Sequence, residues 1–217
     1  MIVAIDGPVG SGKSAVGRRV ARALGLRFVD SGMMYRAIAC LVVDRGVDPA
    51  DGAGLTRLAH SVDITIDGNK VFVGDVDYTE RVYAPELSEA ASRVAKVAGV
   101  RLALVAQQRA MGRDGVVMVG RDIGTVIFPD TRHKFFLTAS VEERARRRAA
   151  QIESRGERAD PEQMRREVLE RDRRDSGRSV SPMRPARDAI VIETDDLTLE
   201  EVVETVLSSI SSAQPTH

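Results

Sequence analysis

Apolar residues occur in short blocks along the chain, and amphipathic segments with helical spacing separate these blocks. Blocks of this length and content are typical of buried parallel strands. The five candidate strands are residues 2–5, 27–30, 115–120, 134–138 and 189–193. Strands that alternate with helices predict an α/β fold with a doubly wound, parallel, five-stranded sheet.

One region interrupts this alternation. Residues 62–66 and 71–73 alternate in polarity and are joined through Asp67-Gly68-Asn69, which is a hairpin signal. A hairpin does not fit inside a parallel sheet whose strands are linked by helices. We therefore predict a small antiparallel β/α insert over about residues 38–104, outside the main sheet.

Helix start signals organise the C-terminal half. Ser140 with Glu143, and Thr198 with Glu201, have the spacing of capping boxes. Asp160-Pro161 predicts the start of a helix that ends near Ser176. The polar segment before it, about residues 147–160, is predicted as a short lid. The rest forms the core of a single domain, at about residues 1–37, 105–146 and 161–217.

The first strand leads directly into a glycine-rich motif. Gly7-Pro8-Val9-Gly10-Ser11-Gly12-Lys13-Ser14 matches G-x-x-x-x-G-K-[ST] completely. Glycines let backbone N–H groups surround phosphate oxygens, and the following helix directs its positive end at the same anion. Lys13 then reaches the outer phosphates and the Ser14 hydroxyl binds magnesium. The sequence thus predicts a P-loop NTPase-type fold that uses a nucleoside triphosphate.

Composition narrows the class of protein. Lys plus Arg and Asp plus Glu number 32 each, and a balanced charge argues against a nucleic-acid binder. All but four of the basic residues are arginines, whose forked guanidinium matches phosphate and carboxylate oxygens. The lone Cys40 predicts a small core side chain and no disulfide. We see no membrane-spanning run or signal peptide, and expect a cytoplasmic, monomeric protein.

Charged residues follow two of the predicted strands. Arg36 lies just past the strand that ends at Asp30, and Arg121 and Asp122 follow the strand that ends at Gly120. Ligands of doubly wound sheets bind beyond the carboxyl ends of the strands. Each arginine alone could form an ordinary surface ion pair. Their convergence with the phosphate loop favours a shared binding crevice.

A third charged group lies near the C-terminus. Arg171, Asp175 and Arg178 are spaced by four and three residues, which predicts one helical face. From spacing alone, a solvated helix held by ion pairs and a functional surface both stay open.

The P-loop leaves several functions possible. A GTPase would carry N-K-x-D, but the nearest string, Asn69-Lys70-Val71-Phe72, lacks the Asp and falls in the hairpin. The chain is short for an ATPase motor. A kinase of another small acceptor, such as a different nucleoside monophosphate or a shikimate-like hydroxy acid, stays open. So does a nucleotide-dependent switch that barely turns over.

Several strings together resemble the bacterial cytidylate kinase family. They are IDGPVGSGKS, DSGMMYR, EAASRVA, GRDIGTVIFPD and ERDRRDSGR, in the family's order and over nearly the whole chain. The resemblance implies a nucleoside monophosphate kinase with a core, an acceptor-binding insert and a short lid. It implies transfer of the γ-phosphoryl group of ATP, with Mg²⁺, to CMP or dCMP, giving ADP and CDP or dCDP.

The resemblance also implies roles for individual residues. Arg36 and Arg121 would bind the acceptor phosphate. The cytosine would be read by Ser92, Arg101 and Asp122, with Ser31 nearby. Arg171, Asp175 and Arg178 would contact the sugar and the transferring phosphates.

On the donor side, the resemblance assigns the phosphate loop from Gly7 to Ala15 to ATP. Many family members have Thr where this chain has Ala15, and Ser14 is expected to supply the hydroxyl for magnesium. The predicted catalytic residues are Lys13, Arg121, Arg171 and Arg178.

Overall fold

The computed structural model of the protein describes residues 1–84 and 87–212. A parallel sheet forms its centre. Its strands are β1 (Ile2–Asp6), β2 (Arg27–Asp30), β6 (Val116–Gly120), β7 (His133–Thr138) and β8 (Ile190–Glu193). A separate antiparallel sheet contains β3 (Ile64–Asp67), β4 (Lys70–Val73) and β5 (Val76–Asp77).

The strand order of the large sheet is β2-β6-β1-β7-β8, and every neighbouring pair is parallel. The five predicted strands are confirmed, each to within one residue at either end. β1 and β6 are buried almost throughout, which explains their near-continuous apolar sequences. Because all five strands point the same way, their carboxyl ends lie along one edge of the sheet.

Helices pack on both faces of the large sheet. The helices of the described residues are α1 (Lys13–Leu24), α2 (Gly32–Asp44), α3 (Gly52–His60), α4 (Thr79–Val82), α5 (Leu87–Val94), α6 (Ala98–Ala110), α7 (Val141–Glu153), α8 (Pro161–Ser176) and α9 (Leu199–Ser212). A single π-helical turn, Ile123–Ile127, follows β6. α1 and α9 pack on one face through an apolar cluster with alternate residues of β1. α2 and α6 contribute to a second cluster on the opposite face.

The small sheet confirms the predicted hairpin and adds β5, which the sequence analysis missed. β3 and β4 pair with Asp67 opposite Lys70, so the connection is the two residues Gly68 and Asn69. Gly68 has φ +59°, a conformation that glycine adopts without steric cost. The buried face of this sheet joins the same apolar cluster as α2 and α6.

The insert boundaries at residues 38 and 104 stay predictions. Helices α2 and α6 run without interruption across these positions, and one apolar cluster includes both β1 and the small sheet. The insert therefore extends from helices that also pack on the main sheet. Cys40 lies buried in α2, as predicted.

The predicted helix starts are largely confirmed. Asp160 caps α8 by accepting from the Glu162 amide at 3.0 Å, with Pro161 in the first turn. Ser140 accepts from the Glu143 amide at 3.2 Å, but Glu143 turns to arginines of α7 instead of completing a capping box. α7 extends to Glu153, so the predicted lid consists of the end of α7 and the connection to α8. None of the described helices is long and apolar enough to cross a bilayer.

Candidate active site

The phosphate loop connects the end of β1 to the start of α1. Its first residue, Gly7, has φ +146°, and a Cβ there would lie 2.0 Å from the Leu137 carbonyl oxygen of β7. Only glycine fits this position. The Ser11 hydroxyl donates to the Pro8 carbonyl at 3.0 Å, which fixes the curve of the loop.

Lys13 is buried beneath this loop. Its amine donates to the Pro8 carbonyl and, at 3.2 Å, to the Ser11 hydroxyl. Burial lowers the pKa of Lys13 well below its ordinary value, and the nearby charge of Arg121 lowers it further. The side chain thus forms part of a region with excess positive charge, which suits an anionic ligand.

A cavity of about 680 Å³ opens at the carboxyl edge of the sheet. The predicted site residues that line it are Val9, Gly10, Ser11, Gly12, Lys13, Ser14, Ala15, Arg36, Arg121 and Arg171. The others do not line it: Gly7, Pro8, Ser31, Ser92, Arg101, Asp122, Asp175 and Arg178. Most of the predicted phosphate-binding residues therefore line one cavity, whereas most of the predicted base- and sugar-binding residues lie outside its lining.

Two more cations face this cavity. Burial, followed by the charge of Arg121, lowers the pKa of Arg171 to about 9. Burial also lowers the pKa of Arg36, and Arg148 adds to this effect while Asp30 opposes it. Among the described residues, Lys13, Arg36 and Arg171 form no ion pair. Their charges are therefore available to bind phosphate groups.

Arg36 and Arg171 are held in place by two short helices. Arg36, on α2, donates to the Val82 carbonyl of α4 at 2.8 Å, and Arg171, on α8, donates to the Ser88 hydroxyl of α5 at 2.6 Å. Both short helices fall within the predicted insert, so these contacts connect the cavity with that part of the chain.

Ser14 contacts a carboxylate that the sequence analysis did not assign. Its hydroxyl donates to Asp30 at 2.7 Å, and the other Asp30 oxygen accepts from the Gly32 amide at 3.0 Å. A hydroxyl beside a carboxylate at the mouth of the phosphate loop provides the oxygen ligands that Mg²⁺ prefers. This donor set therefore fits a magnesium ion carried by a nucleotide.

Behind the cavity, charged residues pair with one another. Arg101 and Asp122 form a buried ion pair, each at most 5 % exposed. The Arg101 guanidinium also lies over the Tyr35 ring, 5.3 Å from its centroid. Burial acts to lower the pKa of Arg101, but nearby Tyr35 and Asp122 outweigh it, so the pKa is raised.

Asp175 links two further arginines. Its carboxylate, 2 % exposed, accepts from Arg121 Nε at 2.9 Å and also pairs with Arg178. The prediction that Arg171, Asp175 and Arg178 share one helical face is wrong for Arg178, because α8 ends at Ser176. The chain turns after Gly177, and the attraction of Asp175 keeps Arg178 beside the helix.

The two predicted serines differ in their contacts. Ser31 Oγ donates to the Val119 carbonyl at 2.9 Å, so a backbone acceptor engages its hydrogen. Ser92 Oγ is buried and has no hydrogen-bond partner among the described residues. Buried polar atoms are rarely left without a partner in proteins. The Ser92 hydroxyl therefore keeps the capacity for a further hydrogen bond, although Ser92 does not line the cavity.

Sequence analysis missed several residues of this region. Asp30 could have been found, since it ends a strand at the ligand-binding edge. Arg148 of α7 also lines the cavity, but it belongs to an arginine-rich run in which no spacing singles it out. Ser88 and Tyr35 reach the site only through tertiary packing, and no local pattern identifies them.

A phosphate loop, converging cations and an oxygen pair suited to magnesium define a P-loop phosphotransferase. The cytidylate kinase family model matches residues 3–212. The chain belongs to this family, which confirms the predicted class of nucleoside monophosphate kinase.

Two curated relatives match along almost their whole length. The chain is 46 % identical to a cytidylate kinase of Pelotomaculum thermopropionicum over 98 % of this chain and 96 % of that protein. It is 44 % identical to a cytidylate kinase of Caldanaerobacter subterraneus, covering 96 % and 93 % of the two chains. A solved structure of an uncharacterized protein from Eubacterium ventriosum has 14 % identity and a TM-score of 0.55, with 98 % of both chains covered. This last likeness concerns the fold alone.

Proposed function

We propose that the protein transfers the γ-phosphoryl group of ATP to CMP or dCMP, with Mg²⁺, and releases ADP and CDP or dCDP. The observation that carries this proposal is the convergence of the phosphate loop with Arg36, Arg121 and Arg171 in one cavity. A donor and an acceptor that are both phosphorylated need cations on both sides of the transferring group.

The phosphate loop would bind the donor. Backbone amides of the loop and the start of α1 would surround the β- and γ-phosphates, and Lys13 would neutralise charge on the outer oxygens. Ser14, supported by Asp30, would hold the magnesium ion. A magnesium ion held there would neutralise negative charge on the triphosphate.

Arg36 and Arg121 would bind the acceptor phosphate, while Arg171 would face the phosphoryl group as it moves. Arg148, which also faces the cavity, is positioned to add positive charge. A phosphate acceptor is already anionic near neutral pH, so the transfer needs positioning and electrostatic stabilisation without a general base.

Ser92, Arg101 and Asp122 would read the cytosine, with Ser31 adjacent. The Ser92 hydroxyl has no hydrogen-bond partner among the described residues, so it can bond to the base. The Arg101–Asp122 pair offers both a donor and an acceptor. Asp175 and Arg178 would contact the sugar, and Arg178 would also contact the transferring phosphates as a catalytic residue. The paired charges here suit a neutral part of the acceptor.

The test is ADP release from ATP and Mg²⁺ with CMP, dCMP, UMP, AMP, GMP or shikimate as acceptor, with and without a metal chelator. We expect strong turnover with CMP and dCMP that the chelator abolishes. Turnover with a different acceptor would retain the kinase and overturn the base-reading roles. Release that does not depend on any acceptor would favour a nucleotide-dependent switch.

A monomeric state and a cytoplasmic location stay predictions from the sequence. Sedimentation velocity of the purified chain over a range of concentrations would check the first. A mass of one chain, about 23.6 kDa, is expected throughout.

A further inference from the structure

Asp6 is a buried carboxylate that the proposed reaction does not use. It ends β1, directly before the phosphate loop, and is 4 % exposed. One carboxylate oxygen accepts from the Ile123 amide at 2.9 Å and the other accepts from the Gly124 amide at 2.8 Å. These are the first two amides of the π-helical turn that follows Arg121 and Asp122.

The contact of Asp6 with these two amides takes the place of a contact expected from Asp122. Asp122 occupies the N-cap position of the turn, where an aspartate commonly accepts from the amides of the first turn. Its side chain makes no such bond and pairs with Arg101 instead. Asp6, 117 positions away from Ile123 in the sequence, supplies the cap.

We propose that Asp6 is a positioning residue that caps this turn in place of Asp122 and so keeps the Asp122 carboxylate on Arg101. This inference rests on the proposed role of Asp122 in reading the acceptor. Because Gly7 of the phosphate loop follows Asp6 directly, the same side chain fixes the acceptor-reading turn relative to the donor loop.

The surrounding packing supports this role. Asp6 lies opposite Gly120 in the β1–β6 register, so the strand ends are already aligned. A Cβ on Gly124 would lie 3.2 Å from Lys134 Cγ and 3.5 Å from the nearer Asp6 oxygen. The turn thus has little room to shift while Asp6 holds it. Without Asp6, two buried amides lose their acceptor, and Asp122 is the nearest carboxylate in sequence that could replace it.

The first variant is Asp6→Asn, which keeps the volume but presents an NH₂ group to one of the two amides. We expect kcat/KM for CMP to fall about 10- to 100-fold, the loss typical of a charge-assisted hydrogen bond. The preference for CMP over UMP should fall too, while KM for ATP changes less than about threefold. Asp51→Asn is the matched control, because Asp51 caps α3 through the Gly54 amide at 2.9 Å. It should leave all three quantities unchanged.

A double-mutant cycle separates positioning from general damage. If Asp6 acts through Asp122, then Asp6→Asn should barely change the CMP-to-UMP preference in an Asp122→Ala background. Independent, multiplicative effects of the two substitutions would overturn the inference. An unchanged preference in Asp122→Ala alone would instead overturn the proposed base-reading role of Asp122. The capping contact of Asp6 would then be tested by hydrogen exchange of the Ile123 and Gly124 amides.

Amide hydrogen exchange of the unmodified protein tests the cap where Asp6→Asn fails to fold. The Ile123 and Gly124 amides should exchange far more slowly than the exposed hairpin amides of Gly68 and Asn69. Exchange at Ile123 and Gly124 as fast as in that hairpin would show that Asp6 does not cap the turn.

Discussion

The charged residues around the phosphate loop differ from those around Arg101 and Asp175 in whether they form ion pairs. Around the phosphate loop, Lys13, Arg36 and Arg171 share a cavity, have lowered pKa values and form no ion pair among the described residues. Behind it, Arg101 pairs with Asp122, and Asp175 pairs with two arginines. The three cations of the first region have no carboxylate partner among the described residues, whereas every charged residue named in the second region forms an ion pair.

This difference follows the chemistry of the proposed ligands. Phosphate groups bring negative charge, so cations that repel one another in the free protein gain partners when the ligand binds. A base and a sugar are neutral, so charged residues that recognise them need partners of their own to offset burial. Balanced pairs can still offer directed hydrogen bonds, which suits discrimination between bases.

The largest effect is expected around the phosphate loop, in Lys13→Ala. Turnover should fall at least about 100-fold, because a cation on the transferring phosphates is lost. The free energy of unfolding should change by less than about 1 kcal/mol, since removing a buried amine beside Arg121 relieves repulsion and offsets the lost hydrogen bonds. Steady-state kinetics and urea denaturation measure both quantities.

Lys70→Ala, at an exposed position of β4, is the control and should change neither quantity. Turnover of Lys13→Ala equal to that of the unmodified protein would contradict the assignment of the phosphate loop. A large loss of stability would contradict the view that its cations repel one another.

A smaller effect is expected in Asp175→Asn, which lies among the ion-paired residues. Removing the charge leaves Arg121 and Arg178 buried without their carboxylate, which costs roughly 3 kcal/mol of stability. We expect kcat/KM for CMP to fall about 10- to 100-fold, with KM for ATP within about threefold. Kinetics with each substrate varied in turn would show this asymmetry.

Asp44→Asn is the matched control, since Asp44 joins Arg81 and the Tyr78 hydroxyl away from the cavity. A rise in KM for ATP as large as the loss for CMP would mean that Asp175 does not belong to the acceptor side alone.

A third expected effect concerns the pH dependence of stability and involves Asp6, which lies between the two regions. Burial, and to a lesser extent the Asp122 charge, raises the pKa of Asp6 from 3.8 to about 6. The folded protein therefore holds a proton on Asp6 where the unfolded chain has released it. The contribution of Asp6 to stability is greatest below about pH 4 and falls as the pH rises to about 6.

Denaturation of the unmodified protein and of Asp6→Asn between pH 4 and 7 would measure this contribution. The stability of the unmodified protein relative to Asp6→Asn should decline by up to about 3 kcal/mol from pH 4 to pH 6 and then level off. A difference that is flat or rises over this range would contradict the raised pKa.

Local patterns predicted most of the fold. The strands, the hairpin and the start of α8 follow from apolar runs, turn residues and caps within a few positions of one another. The phosphate loop is equally local, because its glycines and Lys13 act within a single turn of chain. These patterns can be recognised in the sequence without knowing which residues pack against them.

The remaining site residues depend on contacts between distant segments. Nothing near Asp6 in the sequence indicates that it caps a turn more than 100 residues away. Helical spacing placed Arg178 on α8, but Asp175 rather than helix geometry sets its position. Ser88 acquires its contact with Arg171 only because α5 packs against α8. Such contacts are decided by tertiary packing, which a pattern along one chain does not encode.

The unbroken course of α2 has a mechanical consequence. This helix starts at the edge of the main sheet, carries Arg36 into the cavity and ends at Asp44, whose carboxylate binds Tyr78 and Arg81. A continuous helix moves as one unit, so the position of Arg36 cannot change without a shift of the whole helix. Buried residues along α2 pack in one apolar cluster with β1 and the small sheet. The packing of that cluster, rather than any single ion pair, therefore sets where Arg36 lies.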